Sequence, residues 1–159
     1  MKKLPTLLLL LLIIPSTFAQ SLTVSPGWSA TIPASIITEA GLNFTTTTVT
    51  SAASQSLMDV NAGKNLIYII YVQKTDISWD SNLAIWLRRS GNGSGSNGST
   101  IRNGLTFQQI TNSPTYFFDL TMGVGKNYTN IPIQYQISGL SVLIPAKNYT
   151  TTLLFTITN

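Results

Sequence analysis

Five carboxylates, Glu39, Asp59, Asp76, Asp80 and Asp119, supply all the acid chemistry of this 159-residue chain, and no histidine or cysteine stands beside them. A Ser-His triad, a thiol nucleophile, a disulfide and the usual zinc ligand sets are therefore excluded. Two carboxylates across a cleft could serve a glycosidase, but no motif pairs any two of the five. Asp76, Asp80 and Asn82 offer oxygen ligands of the kind calcium takes, yet their spacing departs from an EF-hand loop and suits a turn. The reading is non-enzymatic, with no catalytic, cofactor-binding or metal-ligating residue assigned.

Binding chemistry is better represented. Arg88, Arg89 and Arg102 flank a segment, 90–99, made only of Ser, Gly and Asn. If the flanks close as a hairpin, the three guanidiniums meet and offer a contact to an anion or an acidic glycan. The plainer alternative is a solvated basic stem that guards a sheet edge. Trp28, Trp79 and Trp86 could stack on sugar rings from one exposed face, or give their apolar area to a core or interface. Gly93, Gly95 and Gly98 spell G-x-G-x-x-G, but that fingerprint works at a helix N-terminus, and this loop leads into another strand. Asn-x-Ser/Thr sequons at Asn43, Asn92, Asn97, Asn127 and Asn148 are little more than so Ser/Thr-rich a chain gives by chance, and so weak as a sign of glycosylation. The basic residues are too few and scattered to track a nucleic-acid backbone.

Residues 1–19 carry two lysines, an apolar run over 7–14, then Pro15 and Thr17-Phe18-Ala19. That is the layout of a secretory signal peptide, so an exported protein starting at Gln20 is expected, in the periplasm, at the cell surface or outside the cell. The apolar run is short of the roughly 20 residues a membrane span requires, so no span is expected in the mature form. The rest is the size of one domain. Without cysteine, its stability must come from packing and strand pairing.

Side-chain periodicity is that of β-strands. Leu22, Val24, Pro26, Trp28, Ala30 and Ile32 alternate with small polar residues, which marks one buried face, although Pro26 and Gly27 interrupt it. Residues 44–51 are Thr-rich and read as a solvated edge strand. Further strands are expected over 55–60, 66–72, 83–89, 105–110, 115–122, 131–138, 140–144 and 149–158. The run 66–72 is apolar on both faces and so central or covered. Segment 90–99 is expected to be a flexible hairpin tip, and 34–41 at most a short helical turn. Eight or nine short strands separated by turn signals predict an all-β antiparallel Greek-key or jelly-roll-like sandwich. It would span 34–159, after an N-terminal strand or donor-like extension at 20–33.

The alternating N-terminal segment and the run Pro-Ala-Lys-Asn-Tyr-Thr-Thr-Thr-Leu-Leu-Phe-Thr-Ile-Thr at 145–158 resemble the two ends of bacterial surface-fibre subunits, the chaperone-usher pilins and spore coat U-like proteins. Two features depart from that pattern: there is no cysteine pair, and Thr158 stands where pilins often have Tyr. The resemblance implies that an N-terminal strand of one subunit enters a groove of the next, with Leu22, Val24 and Trp28 as its knobs. It implies self-association or other fibre subunits as partners, with a periplasmic chaperone, and a structural protein of a surface filament or coat. The second function class is a glycan-binding or adhesive module that uses Trp79, Trp86 and the 90–99 loop.

Overall fold

The computed structural model describes residues 20–32, 43–63, 66–125 and 127–159. The leader-like residues 1–19 and the 34–41 turn lie outside the described residues. Among the described residues there is no helix, and eleven strands form two antiparallel sheets packed as a β-sandwich.

The first sheet runs in the order β1 (Ser21–Ser25), β3 (Ser56–Asn61), β10 (Asn127–Ser138), β5 (Ala84–Arg89) and β8 (Gln108–Ile110). The short strands β2 (Thr48–Thr50) and β6 (Ser94–Gly95) also pair with β10, beyond the ends of β3 and β5 respectively. The second sheet is β11 (Thr150–Thr158), β4 (Ile67–Ser78), β9 (Thr115–Thr121) and β7 (Thr100–Arg102). The chain leaves the first sheet after β3, returns at β5, and later lays β10 between them, which is a Greek-key crossing.

Inward side chains follow from the period of two. Met58 and Val60 on β3, Tyr68, Ile70 and Val72 on β4, Ile85 and Leu87 on β5, and Ile131, Ile133 and Tyr135 on β10 are buried between the sheets. Phe117 and Phe118 both turn inward because β4 and β9 shift register between Ile70 and Tyr71, and their rings meet at 5.0 Å. Each such side chain contributes roughly 1.5–3 kcal/mol on leaving water. The polar groups taken inside are matched: Tyr135 donates its hydroxyl to Ser56 Oγ at 2.7 Å, and Gln134 donates to the Ser51 carbonyl at 2.9 Å. Among the described residues no buried side-chain nitrogen or oxygen lacks a hydrogen-bond partner.

Pro132 sits inside a central strand, where proline is normally excluded. The β10 ladder with β3 is bulged between Tyr128 and Ile131, and the freed Asn130 amide is taken up by Asp59 Oδ1 at 2.7 Å. The Pro132 carbonyl accepts from Ser90 N at 2.9 Å. Its missing donor faces the same side, one step past the last β5 pair of Ile133 with Arg89, so proline costs only the reciprocal bond to Ser90 at the end of that ladder.

Three expected elements differ. Segment 90–99 is not a free hairpin tip: β6 folds back onto Tyr128 and Thr129, and the strand that follows, β7, belongs to the other sheet. Gly93 (φ 68°) makes this possible, since a Cβ there would meet the Thr129 carbonyl oxygen at 2.5 Å. Residues 140–144 form a turn and not a strand, held by Leu140 N to the Thr47 carbonyl and Ile144 N to the Ser141 carbonyl. Of the Thr-rich run, only Thr48–Thr50 is β-strand.

Candidate functional site

On one side of the sandwich lie the two edges β1 and β11, each in contact with the other sheet's edge and each paired on a single flank. β11 pairs with β4 from Thr150 to Thr158, and no described strand occupies its other flank. Along it lie nine residues with no charge, proline or glycine, and its one irregularity is a register shift at its start, between Thr150 and Thr151, so the strand from Thr151 onward carries none of the side chains that usually blunt an edge. Its inward side chains Leu153, Phe155 and Ile157, like Leu22 and Val24 of β1, are only half-buried, whereas the inward side chains of β3 and β10 are closed off. The described residues leave this side of the core incompletely covered. Leu154 projects outward at the middle of β11 and is 51% exposed.

The residues expected at the N-terminus are placed within the chain's own fold. Leu22 and Val24 stand on β1 opposite Val60 and Met58 of β3. Trp28 stacks on Tyr135, with ring centroids 5.8 Å apart. Ser56 Oγ and Gln55 Nε2 bond the Pro26 and Gly27 carbonyls, which pins the segment past the β1 end.

The three arginines do not converge. Arg88 lies on the outer face of the first sheet, its Nε on Gln134 Oε1 at 2.8 Å and its guanidinium 4.7 Å from the Phe107 ring centre. Arg89 points inward and is 2% exposed. It donates to the carbonyls of Asn103 and Gly91 and to Asn92 Oδ1, and burial lowers its pKa. Arg102 lies on the outer face of the second sheet, where Nε and Nη2 reach Asp119 Oδ1 at 2.8 and 2.7 Å.

The tryptophans likewise separate. Trp86 is half-buried on the outer face of β5 and donates Nε1 to Ser138 Oγ at 2.8 Å. Trp79, in the β4–β5 connection, donates Nε1 to the Leu83 carbonyl at 2.8 Å. Gly93, Gly95 and Gly98 lead into β7, with no helix N-terminus for a phosphate.

One cluster was not legible as a motif. Asp119, 7% exposed on β9, accepts from Arg102, from Tyr116 Oη at 2.5 Å and from Asn103 Nδ2 at 3.0 Å. Burial works against the charged carboxylate, but the bonds from Tyr116, Arg102 and Asn103 together with the Arg102 charge outweigh it and hold its pKa below the ordinary value. The same burial and bond to Asp119 raise the Tyr116 phenol. Only the ladder register, Arg102 opposite Asp119, unites these residues. The other described acids are engaged separately: Asp80 caps a turn through Asn82, Asp76 pairs with Lys74 at 2.5 Å, and Asp59 fills the bulge. No group of three or more metal-ligating side chains gathers among the described residues.

No protein-family model matches the chain, and neither a curated protein nor a solved structure matches it. No described helix is long and apolar enough to cross a membrane.

Proposed function

We propose that this is an exported, non-enzymatic structural protein, a subunit of a surface filament or coat that assembles when a strand of another copy is added along β11. The observation that carries this reading is the flank of β11 that no described strand covers, above half-exposed Leu153, Phe155 and Ile157. Strand order supports it. In an immunoglobulin-type sandwich one sheet reads A-B-E-D and the other G-F-C. Here β1-β3-β10-β5 takes the first order and β11-β4 the places of F and C, and no described strand lies in the place of G. An added strand gains main-chain hydrogen bonds for affinity and alternate side chains for register.

The donor is either the neighbour's own bare edge or its N-terminal segment, with Leu22, Val24 and Trp28 turned to the recipient's core after release from β3. The leader-like residues 1–19 and the low charge accord with export. Electron microscopy and sedimentation of the protein from Gln20 onward test the reading, alongside a Thr152→Lys, Thr156→Lys variant that charges the β11 edge. The expected result is ordered assembly of the parent protein and discrete monomers for the variant. Monomers at every concentration for both would remove the proposal.

A further inference from the structure

At the edge of the sandwich away from β1, a cleft of about 380 Å³ opens between the far end of β4 and β8. Its walls include Lys74, Asp76, Trp79, Gln109, Thr111 and Asn112. Lys74 continues the inward series of Tyr68, Ile70 and Val72, and its side chain is only 13% exposed. Its ammonium pairs with Asp76 Oδ2 at 2.5 Å and stands 5.7 Å from the Trp79 ring centre. Asp76 also accepts from Thr151 Oγ1 at 2.9 Å. Burial opposes its charge, but the bonds from Lys74, Thr151 and Asn112 outweigh it and lower its pKa.

We infer that this cleft is a subsite for a neutral pyranose of an oligosaccharide. A sugar ring presents an apolar C–H face that suits an indole, and a rim of hydroxyls that suits carboxylate and amide groups; ligand sites combine such apolar walls with a few fixed polar groups. The ion pair neutralises itself, so the cleft offers no net charge to an anion. Gln109 is exposed, and its side chain bonds no described residue, which leaves an amide free at the mouth. Its ladder partner is Trp86, on the outer face of the same sheet. A chain of sugars leaving the cleft past Gln109 meets this second ring, and then Arg88 over Phe107. Gln109 thus lines the cleft with Trp79 and stands opposite Trp86 in the ladder.

The test follows tryptophan fluorescence and amide chemical shifts of the folded protein as cellotetraose, xylotetraose, maltotetraose and chitotetraose are added. At least one sugar gives a saturable change, centred on Trp79, Gln109 and Thr111. Trp79→Ala and Gln109→Ala each weaken it about tenfold, the loss expected for one aromatic or polar contact. Trp28→Ala, at the opposite edge of the sheet, leaves it unchanged. Gln109 is exposed and unbonded, so its variant keeps the fold even if Trp79→Ala does not. No saturable change with any of the four sugars overturns the inference, as does unaltered affinity in Gln109→Ala.

Discussion

Trp28 lies nearly parallel to Tyr135, with ring planes inclined by 16° and centroids 5.8 Å apart. The contact ties the residues after β1 to the central strand of the first sheet, so the N-terminal segment is clamped at both ends: by its ladder with β3 and by this stack. Trp28→Ala should lower stability by about 1–2 kcal/mol through the lost stack and lost area. Hydrogen exchange should show the Leu22 and Val24 amides opening faster while β4 amides stay protected. If the segment is the assembly donor, the same change also speeds assembly, because β1 is released more readily.

Acid sensitivity should centre on Asp119. Its folded pKa lies below the ordinary carboxylate value, near 3.9 when unfolded. Its contribution is therefore complete above the unfolded value and disappears as pH falls through the folded one. Urea midpoints measured for parent and Asp119→Asn should differ at neutral pH and converge in acid. Tyr116→Phe, which removes one donor, should narrow the same window by a smaller amount.

The buried Arg89 is the most costly single charge to alter. It faces neutral oxygens of Gly91, Asn92 and Asn103, so truncation to Ala strands three acceptors and leaves a void. Arg89→Ala should cost about 3 kcal/mol or more. Arg89→Lys should recover only part, since an ammonium cannot repeat the planar fork. Chemical denaturation of the three proteins measures both.

Gly123 lies against the turn that returns segment 90–99 to the sheet. A Cβ there would sit 2.0 Å from the Asn97 carbonyl oxygen, and Val124 N bonds that same carbonyl at 3.2 Å. Gly123→Ala should destabilise by about 1–3 kcal/mol, with exchange rising first around Ser96 and Ser99.

Period two made the sandwich legible. Ile85 and Leu87 turn inward and Trp86 and Arg88 outward as the alternation requires, and the doubly apolar run at 66–72 falls, from Ile67 onward, on β4, an inner strand of its sheet. The strands expected on either side of segment 90–99, at 83–89 and 105–110, do pair as β5 with β8. Periodicity says nothing about which sheet a strand joins, and β7, which carries Arg102, joins the other layer, so Arg102 parts from Arg88 and Arg89. Nor does it report side-chain partners created by register: Asp119 and Arg102 are 17 residues apart, and no local pattern links them. The 140–144 run looked like a strand because it is apolar, but Gly139 (φ 87°) turns the backbone out of the ladder. That no described strand flanks β11 on its outer side was invisible for the same reason, since an edge is a property of neighbours.

The most direct measurement uses the absence of native cysteine. Thr156→Cys and Thr23→Cys proteins are oxidised alone and as a mixture, then separated by mass under non-reducing conditions. The account predicts covalent dimers through residue 156: symmetric ones if β11 meets β11, mixed ones if β1 of one copy lies along β11 of another. Chains that stay monomeric in all three samples, with the thiol at 156 freely titratable, would contradict strand addition at this edge.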